Sequence, residues 1–108
     1  MTTTPSIPVV LFTVADAMAR GGLPLPVSVE VSDRIGLELD LATHAELRRW
    51  ARFLRLPAEQ WHSQPYSHDD VPKVLTNAYG TWRGFRVRLH CCEPTETAPA
   101  ELVAAVAR

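Results

Sequence analysis

The chain has 108 residues, 46% of them hydrophobic and 21% charged, enough for one soluble domain with a modest core, since domains run to ~50–200 residues. Its formal net charge of −1 excludes a molecule-wide basic field, so only a local patch could attract nucleic acid. Cys91 and Cys92 are neighbours whose side chains point apart on an extended chain, which excludes a disulfide framework and suits a reducing compartment.

The opening Met1-Thr2-Thr3-Thr4-Pro5 is a polar lead-in without the basic region of a signal peptide. The apolar run Val9–Val14 is far shorter than the ~20 residues of a membrane span, so a cytoplasmic location is expected. Ile7–Arg20 is predicted as a helix, with Ser6 as N-cap and Pro8 in the first turn. Val10, Leu11, Val14, Ala15 and Met18 recur along it at helical spacing, and Gly21-Gly22 supplies a left-handed stop. Val27–Ser32 and Gly36–Leu41 alternate with period two around the turn residues Asp33–Gly36, which predicts a hairpin. Val27, Val29, Val31, Leu37, Leu39 and Leu41 share one face of it, with Glu30, Glu38 and Asp40 on the other.

Thr43–Leu56 is the best-defined element. Thr43 and Glu46 form a capping box, Leu47, Trp50, Ala51 and Leu54 make an apolar side, and Pro57 ends the helix. Residues 58–72 read as an irregular connection, with Trp61–Tyr66 as an alternative edge strand because Pro65 lacks a ladder donor. Val74–Cys92 is a second hairpin. A two-residue Arg83-Gly84 turn sets Trp82 opposite Phe85 and places Val74, Thr76, Ala78, Gly80 and Trp82 inside; a bulged turn would put Leu75, Tyr79 and Thr81 there. The first register keeps two large aromatics together and is preferred. Pro99–Ala107 is a short C-terminal helix.

Residues 1–108 therefore read as one α+β domain, with 1–5 and 94–108 peripheral. The expected architecture is a four-stranded antiparallel sheet from two hairpins with two helices on one face (α-ββ-α-ββ) and a short C-terminal helix. Its outer face would set Glu30, Glu38 and Asp40 beside Arg86, Arg88 and His90, and such cross-strand pairs contribute roughly 0.2–1 kcal/mol each.

Functional signals are few. Arg48, Arg49, Arg52 and Arg55 line one side of the central helix and could meet phosphates, or simply be a solvated face. A DNA-reading helix-turn-helix over Leu47–Trp61 is disfavoured by a second helix limited by Pro65 and lacking basic side chains. His90 and Cys92 share a strand face, and His44, His62, His68, Asp69 or Asp70 could join them on a cation. The paired short spacings of a structural zinc site are missing, so no metal or other cofactor is expected. Ser63, Ser67, His62, His68, Asp69 and Asp70 in the 61–70 segment could serve an enzyme only by converging in space, and no catalytic motif occurs. Tyr79, Arg86, Arg88 and His90 on the outer sheet face, with Trp61 and Tyr66 from the connection, are residue types enriched where proteins meet partners.

The segments Val14–Ala17 with Gly21–Pro24, Leu47–Ala51 and Gly80–Gly84 together resemble small uncharacterised proteins of high-GC actinobacteria, a likeness spanning most of residues 10–92. That resemblance implies provenance and carries no activity, cofactor or site. The expected function is a non-catalytic interaction or regulatory module with a protein partner, for which homodimerisation would suit the small core. A nucleic-acid binder using the helix arginines stands second and a small enzyme using residues 61–70 third.

Overall fold

Five strands, one more than the alternation in the sequence marks, make up the sheet of the computed structural model, which describes residues 4–107. Residues 1–3 of the polar lead-in and Arg108 lie outside the described residues. The elements are α1 (Ile7–Ala19), β1 (Ser28–Ser32), β2 (Gly36–Leu41), α2 (His44–Leu54), a 3₁₀ turn (Ala58–Gln60), β3 (Trp61–His68), β4 (Val71–Trp82), β5 (Phe85–Pro94) and α3 (Ala100–Val106). The strand order is β1-β2-β5-β4-β3, with β2 and β5 parallel and all other neighbours antiparallel.

The parallel central pair corrects the antiparallel expectation, and β3 is its cause. After β2 the chain returns along α2. Had the β4–β5 hairpin followed directly, β5 would run against β2. The extra strand between them reverses the direction of everything after it, so β5 runs with β2 from Leu37↔Val87 to Leu41↔Cys91. Residues 58–72 are thus a 3₁₀ turn, the edge strand β3 and a tight turn with Asp69 and Asp70 at positive φ, not an irregular connection. Pro65 sits within β3 because that strand has a neighbour on one side only.

The register of the second hairpin follows the two-residue turn: Arg83 and Gly84 have φ of 52° and 88°, as a type I′ turn requires, and Trp82 faces Phe85. Val74, Thr76 and Ala78 are buried accordingly, and so are Phe85, Val87, Leu89, Cys91 and Glu93 of β5. Of the six apolar residues expected inside the first hairpin, Leu37, Leu39 and Leu41 are buried; β1 lies at the sheet edge, and Val27 and Val29 remain exposed.

One apolar cluster joins these strand residues to Val10, Val14 and Ala17 of α1 and to Leu47, Trp50, Ala51 and Leu54 of α2. Fully buried leucines such as Leu39, Leu47 and Leu89 contribute ~1.5–3 kcal/mol each. Trp50 is also buried, and its indole Nε1 donates to the Pro24 carbonyl at 2.8 Å, fixing the α1–β1 connection onto α2. α3 runs beside β3 and β4 and is tied to α2 by Arg48 and Glu101, 2.8 Å apart. All three helices therefore stand on one side of the sheet.

The cap of α2 is as expected at Thr43, whose hydroxyl accepts from the Glu46 N–H at 3.2 Å. Its reciprocal half is shifted by one residue, because Glu46 Oε2 accepts from the Ala42 N–H. The C-terminal end departs further from expectation. The helix stops at Leu54, before Pro57, and Arg55 adopts a left-handed conformation (φ 56°, ψ 45°). The Leu56 N–H then closes back onto the Ala51 carbonyl. Gly80 lies under this place, where a Cβ would stand 2.7 Å from Leu56 Cδ2 and push that side chain aside.

Candidate functional site

Parity along the strands decides what the helix-free face displays. β2 contributes Glu38 and Asp40, β5 contributes Arg86, Arg88 and His90, β4 contributes Asn77 and Tyr79, and β3 contributes His62 and Tyr66. Charges of opposite sign meet across the parallel pair. His90 Nδ1 is 3.1 Å from Asp40 Oδ1, and Arg88 Nε is 3.3 Å from Glu38 Oε1. The latter distance makes an ion pair but not an aligned hydrogen bond, so the buried Arg88 Nε–H has no hydrogen-bond partner among the described residues. Asn77 Oδ1, opposite His90, is left without one in the same way. Tyr79 lies opposite Arg88, is 40% exposed, and has the His62 ring 6.0 Å away.

Five of the six residues expected at a partner site thus share one face: Tyr79, Arg86, Arg88, His90 and Tyr66. Trp61 does not. It pairs with Ala78, points to the helix side and packs against the core. The arginine row of α2 is also divided. Arg48 holds Glu101 and Arg49 donates to the Gly22 carbonyl, so both tie α2 to neighbouring segments. Arg52 and Arg55 have no carboxylate within ion-pair distance among the described residues. Ser63 and His62 of the 61–70 segment fall on opposite faces, and His68 meets only the exposed Asp69, so that segment assembles no nucleophile–base pair.

A buried polar chain runs through the helix side instead. Glu93 Oε1 accepts the backbone N–H of His44, the first residue of α2, at 2.8 Å and lies 2.7 Å from His44 Nδ1. His44 Nε2 is 2.7 Å from Thr76 Oγ1, which is 2.7 Å from Ser63 Oγ. A carboxylate here satisfies an orphan helix N–H and complements the positive end of the helix dipole. The connectivity carboxylate–imidazole–hydroxyl is that of a nucleophile triad, but Thr76 is fully buried and no substrate reaches its hydroxyl. Cys91 Sγ, 3.7 Å from His44 Nδ1, completes a cluster of cation-ligand types. Burial, aided by Glu93, pushes the Cys91 thiol up to about 12 from 9.0. The chain's evident work is to lock the start of α2 onto β4 and β5.

At the opposite end of the sheet a cavity of about 600 Å³ opens where β3 stops short. β3 pairs only as far as Trp61↔Ala78, so β4 from Tyr79 onward has β5 on one side alone. Arg55 and Gln60 line it together with Glu38, Tyr79, Arg86 and Arg88. Arg86 is oriented by a hydrogen bond from its guanidinium to the Arg34 carbonyl.

A second exposed surface was not foreseen. α1 buries Val10, Val14 and Ala17 yet leaves Phe12 68% exposed, and the connection to β1 exposes Leu25 and Val27. The signal was present in the sequence: Ile7–Ala19 is apolar around most of its circumference, unlike an ordinary amphipathic surface helix. No described helix is long and apolar enough to cross a membrane. No family model matches the chain, and no curated protein or solved structure matches it.

Proposed function

We propose that the chain is a small interaction module, without catalytic function of its own, that engages a protein partner through the helix-free face of its sheet. The observation that carries this reading is the placement of every helix on one side, which leaves Tyr79, Tyr66, His62, Arg88 and His90 together on the other. Aromatic residues and arginine are the types that dominate binding energy at protein interfaces. The division of the α2 arginines favours a protein over a nucleic acid, because two of the four are engaged within the fold. The test is photo-crosslinking in cells with a photoreactive residue at position 79 or, as control, at the exposed helix position 45. Discrete protein adducts from 79 alone are expected. Adducts from 45 alone, or adducts to nucleic acid, would reject the proposal.

Self-association is a second reading, favoured by the apolar exposure of Phe12, Leu25 and Val27. Sedimentation of the chain and of Phe12→Ser tests it: a dimer that dissociates in the variant is expected, and a parent that stays monomeric at every concentration contradicts it.

A further inference from the structure

The cavity at the end of the sheet shares Tyr79 and Arg88 with the open face and combines three further features. First, Arg55, Arg86 and Arg88 line it with the single carboxylate Glu38, leaving two formal positive charges in excess. Second, Arg55 is held in a left-handed conformation at a helix end, a place where glycine is the least strained choice. Strained backbone of this kind gathers at functional sites, because the surrounding structure keeps a residue whose side chain is needed. Third, the side chain so placed has no carboxylate within ion-pair distance among the described residues. The negative end of α2 does not cancel the site, for the Ala51 and Arg52 carbonyls accept from the N–H groups of Arg55 and Leu56.

We infer that this cavity binds a small phosphate ester, with its phosphoryl group among Arg55, Arg86 and Arg88. A phosphate monoester carries about −1.5 to −2 charge at neutral pH and three acceptor oxygens, which matches the two excess charges. A carboxylate has only two oxygens and one charge. The volume of about 600 Å³ is far larger than a phosphoryl group and lies within the range of small-molecule sites. An organic part is therefore accommodated, and the ring of Tyr79 in the wall offers it a stacking surface. The site stands whether or not the open face holds a protein partner.

The full chain is titrated calorimetrically with phenyl phosphate and, separately, with inorganic phosphate. Saturable binding is expected for both, tighter for phenyl phosphate and weakened by salt. Arg55→Gly should lose roughly tenfold or more in affinity, the scale of one charge-assisted hydrogen bond. Arg48→Ala, on the same helix but bonded to Glu101, should change affinity by no more than about twofold. Thermal melting verifies that Arg55→Gly is folded, and Arg88→Gln gives an independent loss if it is not. Absence of binding by phenyl phosphate overturns the inference, and so does an equal loss in Arg48→Ala and Arg55→Gly, which would mean attraction by charge alone.

Discussion

Replacing Glu93 by alanine removes a single carboxylate that serves two donors, the His44 N–H at 2.8 Å and the His44 ring at 2.7 Å. Both lie in a site where His44 is 1% and Glu93 4% exposed, so water cannot replace the lost acceptor without opening the fold. A buried donor left unsatisfied costs ~1–3 kcal/mol, and removing one partner of a buried, hydrogen-bonded pair costs roughly 3–5 kcal/mol. The loss spreads to the helix, because the freed N–H belongs to the first turn of α2. Against a typical stability of ~5–15 kcal/mol this is a large fraction. At this chain length each kcal/mol moves the melting temperature by ~4–8 °C, so a fall of roughly 12–40 °C is expected. Urea unfolding followed by tryptophan fluorescence, with Trp50 buried within α2, measures the change. Glu93→Gln should lie between the two, since its amide oxygen still accepts. A Glu93→Ala variant within ~1 kcal/mol of the parent would refute the reasoning, because that is the ordinary scale of a surface change.

Arg55→Gly should stabilise the fold by up to ~1 kcal/mol, the net of relieving a left-handed non-glycine residue and adding freedom to the unfolded chain; its urea midpoint should rise even as anion binding falls. Of the two thiols, Cys92 should react with an alkylating reagent in the native state while Cys91, buried and held as a neutral thiol, should react only on unfolding. Because the Cys91 value is raised, its contribution to stability is complete below pH 9.0 and is lost as pH climbs toward about 12, which alkaline urea curves will read. Glu101 has the opposite sign. Its hydrogen bond from Arg48 holds the carboxyl below 4.5, so docking of α3 should persist above that pH and weaken as pH falls through the lowered value; amide exchange in Ala100–Val106 measures it.

How far the fold could be read in advance depended on local chemistry. The β1–β2 hairpin, the Thr43 cap and the Trp82–Phe85 register were legible because alternation and turn residues are local signals. That acidic residues of β2 would face basic residues of β5 followed from placing the two hairpins side by side, but the particular pairs Glu38–Arg88 and Asp40–His90 depend on the parallel direction, which was not expected. β3 was legible only as an alternative, an edge strand over Trp61–Tyr66 suggested by Pro65: Trp-His-Ser-Gln-Pro-Tyr-Ser-His has no hydrophobic alternation to prefer that reading, because as an edge strand its inward positions are only half covered. Missing it inverted the direction of β5. Glu93 and His44 are 49 residues apart and could not be paired from sequence, yet one clue existed. Glu93 falls in the same parity as Phe85, Val87, Leu89 and Cys91, and a charge in an apolar register marks a buried partner. The cavity was illegible for another reason: it depends on where β3 ends and on a helix that stops at Leu54 although Pro57 had marked its end.

The claim that the helix-free face is the working surface is tested most directly by hydroxyl-radical footprinting of the chain in native extract and in buffer. The account predicts that Tyr79 and Tyr66 become protected in extract while Phe12 and Phe53, exposed on the helix side, are modified equally in both. Protection of Phe12 or Phe53 with Tyr79 and Tyr66 unchanged would contradict it.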